Sequence, residues 1–194
     1  MKIGVALSGG GIRGIAHAGA LKAFEENGIN IDIIGGTSSG SLVAVLYAMG
    51  YTPYYIYMLF KRYAQELITV DTTPIINTVS SFITNKKNQV YGFNTGEAIE
   101  KAYNEIAKRK GIKYISDIKM PIAIPAVDVK TSKEYVFTNN KSKSRYISDI
   151  PVGTAVRASS SFPGVFCPCI YKEYTFLDGG ILDNIPVNEV KRLG

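Results

Sequence analysis

The sequence predicts an α/β fold, a three-layer sandwich in which helices cover both faces of a mostly parallel central sheet. Short apolar segments rich in β-branched residues alternate with segments of helical spacing. Two glycine-rich turns each lie between a strand pattern and a helix pattern. The hydrophobic content of 46% is also enough for one full core in 194 residues. We therefore expect residues 1–194 to form a single domain.

The alternating pattern gives an order of elements. The helix after the first strand ends at Gly28, a typical C-terminal cap, and Thr52 followed by Pro53 is typical of a helix start. Residues 71–91 show no period, so we expect a mobile loop or lid there. The pattern predicts strands at 3–7, 29–34, 122–129, 135–138, 165–170 and 174–177, and helices at 14–27, at 42–49, from 53, after 95 and at 152–158.

The first motif is a glycine loop, GGGIRG at positions 9–14, between the first strand and the first helix. Without side chains in the way, its backbone amides can face a negative charge near a helix N-terminus. The spacing of Gly9, Gly11 and Gly14 also matches a dinucleotide-binding pattern, so the charge could be a pyrophosphate or an oxyanion. A nucleotide site also needs an acid at the end of the second strand, but Asp32 lies at its start.

The second motif is Gly36-Thr37-Ser38-Ser39-Gly40, a G-x-S-x-G sequence between a strand and an apolar helix. This is the setting of a nucleophile elbow, in which a sharp turn holds the serine hydroxyl outward. The two glycines leave room for the close approach of backbones that such a turn needs. We expect the Ser38 hydroxyl to lie at a helix N-terminus, where the helix dipole favours negative charge.

A serine hydroxyl needs a base before it can attack a carbonyl carbon. The single histidine, His17, lies among apolar residues of the first helix, and we expect it to be structural. The base is then a carboxylate, and Asp178 is the best candidate, because it follows an apolar strand and precedes Gly179 and Gly180. The alternative for this segment is an ordinary turn, in which aspartate before glycine is common.

Composition argues against several other classes. One histidine and two cysteines are too few for a usual zinc site, so we expect no metal. Cys167 and Cys169 are too close in sequence for a good disulfide, so we expect reduced thiols. No apolar run approaches the roughly 20 residues that span a bilayer, which favours a soluble, cytoplasmic protein. The net charge of +6 is spread over small clusters, and we expect no nucleic-acid partner.

The glycine loop, the elbow and the Asp178-Gly179-Gly180 segment, in this order, resemble the patatin-like phospholipase family. The segment at 155–166 is similar to the family's sequence before its last motif, so the likeness covers nearly the whole chain. Members of the family usually continue into another strand and helix after the segment that begins at Asn184. The chain therefore looks like a short or truncated member, and an uncovered sheet edge would favour a homo-oligomer.

The resemblance implies a hydrolase that cleaves fatty acyl esters of phospholipids or lysophospholipids at a membrane surface, without a cofactor. It implies a dyad of Ser38 and Asp178 without histidine, which acts through an acyl-serine intermediate. Arg13 would brace the glycine loop or face a lipid phosphate. The residues implied for the oxyanion hole are Gly9, Gly10 and Gly11, with Gly14 in the supporting loop.

Two other functions stay open on the sequence. The glycine loop could serve a nucleotide-binding α/β domain, although Asp32 is misplaced for holding a ribose. The same fold could also be a lipid-binding module without catalytic activity. Reaction of Ser38 with an esterase probe is expected for the hydrolase alone.

Overall fold

A computed structural model describes residues 2–68, 95–140 and 143–194, and for residues 63–68 it describes the backbone alone. The loop or lid expected at 71–91 lies outside the described residues. In chain order the elements are β1 (Gly4–Leu7), a 3-10 turn (Gly11–Gly14), α1 (Ile15–Glu26), β2 (Ile33–Gly36), α2 (Ser39–Ala48), α3 (Pro53–Ile68), α4 (Glu97–Lys108), a 3-10 turn (Ile115–Asp117), β3 (Ile122–Asp128), β4 (Lys133–Thr138), β5 (Tyr146–Ile147), α5 (Val152–Ser159), β6 (Cys169–Tyr171), β7 (Tyr174–Asp178), a 3-10 turn (Gly179–Ile181) and α6 (Val187–Arg192).

The strands of the described residues form one seven-stranded sheet. β1, β2 and β3 are parallel neighbours, and β4 and β5 form a further parallel pair. β4 and β7 run antiparallel to β3, and β6 runs antiparallel to β7. The predicted α/β class is confirmed, and the elbow follows β2 in the parallel part of the sheet.

β3 pairs with two different strands along one edge. Near its start Ala123 lies opposite Gly35 of β2, and further along Ala126 lies opposite Asp178 of β7. Because β2 is parallel to β3 and β7 is antiparallel to it, β2 and β7 run toward each other and their ends meet beside β3. Pro125 lies at this junction, where its missing amide hydrogen costs no strand pairing.

Helices cover both faces of the sheet. On one face Leu7 and Ile34 belong to the main core, which they share with α1 and α2. On the other face α6 contacts β1 and β2, and Val190 of α6 lies directly over two glycines. A Cβ added to Gly4 would lie 2.6 Å from the Val190 side chain, and one added to Gly35 would lie 2.5 Å from it. This close contact of helix and sheet makes the third layer.

Most predicted elements are present with changed bounds. The second strand begins at Ile33 rather than at 29. The strand predicted at 165–170 begins only at Cys169, because the amide of Phe166 bonds back to the Phe162 carbonyl in a turn. The sequence pattern does not predict β5 or α6, since elements of two and six residues are too short to show a period.

The predicted N-terminal cap of α3 is confirmed. The hydroxyl oxygen of Thr52 accepts a hydrogen bond from the Tyr55 amide at 3.2 Å, which caps α3. Cys169 is a buried free thiol, and burial raises its pKa to about 12. Within the described ranges, none of the helices combines the length and apolar character that crossing a membrane requires.

Candidate active site

The G-x-S-x-G sequence forms a sharp turn between β2 and α2. Ser38 has φ 55° and ψ −123°, a backbone conformation that L-residues rarely adopt. A Cβ added to Gly36 would lie 2.2 Å from the Gly40 carbonyl oxygen, and one added to Gly40 would lie 2.4 Å from the Leu7 carbonyl oxygen. Gly36 and Gly40 are therefore required, because the end of β1, the elbow and the start of α2 approach too closely for a side chain at either position. A strained serine at a helix N-terminus is the geometry of a nucleophile elbow.

Asp178 is the last residue of β7 and is only 1% exposed. Its Oδ1 accepts a hydrogen bond from the Gly180 amide at 2.7 Å, and its own amide donates to the Ser161 carbonyl at 3.0 Å. Its Oδ2 is buried and makes no hydrogen bond of standard geometry to the described residues. One carboxylate oxygen is thus held in place, and the other is left for a further donor.

The structure places Ser38 next to this carboxylate. Burial raises the pKa of Asp178 above the ordinary aspartate value, and the Ser38 hydroxyl and the Gly180 amide, as hydrogen-bond donors, oppose that rise. The hydroxyl lies close enough to stabilise the ionised carboxylate, although Oδ2 makes no hydrogen bond of standard geometry to the described residues. Such contacts are often loose in a free enzyme and tighten with substrate. A raised pKa also makes the carboxylate a stronger base.

The end of α5 holds both residues of this pair. The buried hydroxyl of Ser159 accepts a hydrogen bond from the Ser38 amide at 3.1 Å. Two residues later, the Ser161 carbonyl accepts the amide of Asp178. No motif in the sequence assigns a role to these serines. A run of three serines after an apolar helix is the signal that could have found them, since buried hydroxyls need partners.

α5 is itself fixed to α4 by a partly buried ion pair. The carboxylate of Glu100 accepts hydrogen bonds from the Thr154 hydroxyl at 2.6 Å and from Arg157 Nη1 at 2.8 Å. The two helices also touch at Gly153, where an added Cβ would lie 2.0 Å from the Glu100 carbonyl oxygen. This contact gives the end of α5 a fixed position under the elbow.

The glycine loop lies against Ser38, and one prediction about it needs correction. The Gly9 amide donates to the Asn184 carbonyl at 3.1 Å, so Gly9 cannot supply the oxyanion donor expected of it. A Cβ added to Gly9 would lie 3.1 Å from the Cβ of Ser38, which places the loop beside the serine. The amides of Gly10 and Gly11 make no hydrogen bond to the described part of the chain. They are the two loop donors that remain available.

Side chains around the glycine loop keep it in place. Arg13 Nε donates to the Gly10 carbonyl at 3.4 Å, which is the bracing contact expected of this residue. His17 Nε2 donates to the Ser8 carbonyl at 2.9 Å, so the histidine has the structural role predicted for it. Gly14 packs on the elbow, because an added Cβ would lie 2.7 Å from the Ser39 hydroxyl oxygen.

Both glycines after Asp178 make close contacts, and at Gly179 the neighbouring backbone leaves no room for a side chain. A Cβ added to Gly179 would lie 2.3 Å from the Pro125 carbonyl oxygen at the junction of β2 and β7. A Cβ added to Gly180 would lie 3.0 Å from Asp178 Oδ1 and 3.1 Å from Asn184 Oδ1. Asn184 is therefore part of the site, although no motif in the sequence identified it.

The structure gives no support to a metal or a nucleotide at this site. Across the described ranges, no three His, Cys, Asp or Glu side chains are grouped so that they could hold a metal ion. Asp32, the acid nearest to the position that a ribose would need, accepts a hydrogen bond from the Ile3 amide at 2.8 Å, at the start of β2. It lies at the opposite end of the strand from the glycine loop.

The fold and the site define an α/β protein with a candidate serine nucleophile at a strand-to-helix elbow. The chain belongs to the patatin-like phospholipase family, whose model, described as "Patatin-like phospholipase", matches residues 5–191. This match confirms the resemblance that the three motifs indicate.

Curated relatives are similar along the whole chain. This chain is 35% identical over 194 residues to the lysophospholipase NTE1 of Meyerozyma guilliermondii. The alignment covers 99% of this chain and 12% of that protein. The lysophospholipase NTE1 of Candida albicans is 34% identical over 194 residues, again covering 99% of this chain and 12% of the relative. The chain thus spans about an eighth of the length of these relatives.

Solved structures share the fold. VipD from Legionella pneumophila superposes with a TM-score of 0.61 at 15% identity, over 95% of this chain and 47% of that one. The ExoU–SpcU complex from Pseudomonas aeruginosa superposes with a TM-score of 0.55 at 22% identity, over 97% of this chain and 40% of that one. At this identity the likeness concerns the fold.

Proposed function

We propose that the chain is a serine acyl-ester hydrolase that cleaves fatty acyl esters of phospholipids or lysophospholipids. The observation that carries the proposal is the strained Ser38 beside the buried carboxylate of Asp178, a pair called here the candidate dyad. Family membership and relatives named lysophospholipases support the substrate class.

In the acylation step, Ser38 Oγ attacks the ester carbonyl carbon while its proton passes to Asp178. The π electrons of the carbonyl move to its oxygen, which becomes an oxyanion. The amides of Gly10 and Gly11, together with the N-terminus of α2, supply fixed positive ends of dipoles for this charge. Donors fixed before the reaction are worth roughly 3 kcal/mol each.

The intermediate then collapses. The carbonyl re-forms, the bond between the acyl carbon and the alcohol oxygen breaks, and Asp178 returns its proton to the leaving alcohol. The acyl group stays on Ser38. Water next attacks the acyl carbon and gives a proton to Asp178. When the bond between the acyl carbon and Oγ breaks, Asp178 returns this proton to Oγ, which releases the fatty acid and restores the serine hydroxyl.

Labelling of Ser38 by a fluorophosphonate probe tests the proposal. We expect the wild-type chain to be labelled at one site and to hydrolyse p-nitrophenyl esters, and Ser38→Ala to lose both. Ser39→Ala is the matched control, because Ser39 has no hydrogen-bond partner for its hydroxyl in the described residues and lies next in sequence. Wild-type protein that neither reacts nor hydrolyses any ester would leave the silent lipid-binding module as the better account.

Large apolar side chains are exposed on the three loops that surround the candidate dyad. Ile12 of the glycine loop is 50% exposed, Phe162 after α5 is 57% exposed and Leu182 after the acid is 56% exposed. Exposed apolar groups collected around a site mark a contact surface, and a lipid surface fits here, because the net charge of +6 favours anionic headgroups. The residues of this apolar rim are Ile12, Phe162, Val165, Ile181, Leu182 and Ile185.

Charged substitutions in the apolar rim are expected to lower the turnover of phospholipid in vesicles. Phe162→Asp and Leu182→Asp should each lower turnover of phosphatidylglycerol-containing vesicles about tenfold, more than turnover of a soluble ester, because each replaces an exposed apolar side chain that would enter the lipid surface with a charge. Ile170→Asp is the matched control, since Ile170 is 74% exposed on β6, outside the rim. Equal losses on vesicles for all three variants would count against membrane docking through the rim.

A further inference from the structure

We propose that the side-chain amide of Asn184 is a third hydrogen-bond donor to the substrate oxyanion at Ser38. The inference rests on the proposed function, because an oxyanion forms only if Ser38 attacks an ester. It goes beyond the predicted oxyanion hole, which consists of backbone amides of the glycine loop alone.

The backbone around Asn184 is fixed to two parts of the site. Its carbonyl accepts the Gly9 amide at 3.1 Å. The preceding carbonyl, of Asp183, accepts the hydroxyl of Thr37 at 2.9 Å. The segment is therefore held to the glycine loop and to the elbow at once, which fixes the backbone that carries the Asn184 side chain before any substrate arrives.

The Asn184 side chain lies near both residues of the candidate dyad. A Cβ added to Gly9 would lie 2.5 Å from Asn184 Oδ1 and 3.1 Å from Ser38 Cβ. A Cβ added to Gly180 would lie 3.1 Å from the same Oδ1 and 3.0 Å from Asp178 Oδ1. Asn184 and Ser38 thus contact one glycine, and Asn184 and Asp178 contact another.

The donors of this amide are unused. Asn184 Oδ1 faces the two glycines, and its Nδ2 makes no hydrogen bond to the described residues. The residue is exposed, so a bound ester can reach it. A side-chain amide carries two N–H donors, of the kind that stabilises oxyanions in other hydrolases. It would stand in for the Gly9 amide, which the Asn184 carbonyl occupies.

The experiment compares Asn184→Ala with wild type on a soluble ester and with a trifluoromethyl ketone, which adds to serine as a tetrahedral oxyanion. We expect kcat to fall about 100-fold with KM nearly unchanged. The inhibition constant of the ketone should rise by the same factor. Asn184→Asp should lose more, because it replaces the donors with a negative charge. Asn188→Ala, an exposed asparagine on α6, should behave as wild type.

A merely structural Asn184 would give a different result. It would lower Tm along with kcat, and the inhibition constant of the ketone would not rise by the factor by which kcat/KM falls. That outcome overturns the proposal. An unchanged kcat of Asn184→Ala, in a wild-type enzyme that is active, overturns it as well. Wild-type protein that is neither labelled at Ser38 nor active would overturn the proposed function itself. The two failures are therefore distinguishable.

Discussion

Asp178→Asn is expected to remove nearly all hydrolysis and to stabilise the fold. We expect kcat to fall about 1000-fold, because an amide cannot accept the proton of Ser38. The free energy of unfolding at neutral pH should rise by about 1 kcal/mol, or roughly 2–4 °C in Tm, because the wild-type chain buries a carboxylate with one oxygen lacking a full hydrogen bond. Activity and stability should therefore change in opposite directions.

The stability gain should depend on pH in a definite sense. The folded-state pKa of Asp178 is raised by burial, so its contribution to stability is fully present below its unfolded-state pKa of about 3.9 and is lost as pH rises through the folded-state pKa. The difference between Asp178→Asn and wild type should be small near pH 4, grow with pH and then become constant.

Urea denaturation at several pH values, beside ester turnover, checks both parts. Asp149→Asn is the control, because Asp149 is exposed on the segment before α5 and lies outside the site. We expect it to change neither activity nor stability. An Asp178→Asn variant that keeps wild-type turnover would exclude Asp178 as the base, and one that is less stable at neutral pH would contradict the account of its burial.

Gly40→Ala is expected to be among the most damaging single-methyl changes in the chain. Its new Cβ would lie 2.4 Å from the Leu7 carbonyl oxygen, so α2 must move away from β1 or the elbow must distort. We expect a loss of about 3 kcal/mol in the free energy of unfolding. Labelling at Ser38 should fall with it, because Ser38 begins the same helix.

Gly19→Ala is the matched control for this change. Gly19 also lies in a helix, α1, but an added Cβ there would meet nothing within 4 Å. Alanine is the better helix former, so this variant should be more stable by about 0.5–1 kcal/mol and as active as wild type. Thermal unfolding of both variants measures the contrast. Equal effects of the two substitutions would refute the close approach at Gly40.

The sequence predicts those parts of the site that depend on local rules. A glycine on each side of Ser38 and two after Asp178 indicate tight contacts, and the structure contains close backbone contacts at three of these positions and side-chain contacts at Gly180. The apolar pattern likewise indicates β2 before the elbow and α2 after it, because strand and helix periods are local properties.

The missing parts depend on which distant segments pair. The pattern around 174–177 predicts a strand but not its antiparallel pairing with β3, because register is set by tertiary packing. For the same reason the loss of the Gly9 amide to Asn184, and the contact of Ser159 with Ser38, could not be predicted. Each joins residues that are more than 100 positions apart in the chain.

The meeting of β2 and β7 along one edge of β3 limits how the sequence of this protein can vary. The spacing between Ala123 and Ala126 of β3 sets the distance between the ends of β2 and β7, and with it the separation of Ser38 and Asp178. A slip of β7 by one residue would shift Asp178 by about 3.3 Å and turn its carboxylate to the other side of the sheet. Insertions or deletions inside β3 should therefore be far less tolerated than changes of length in the loops around the site.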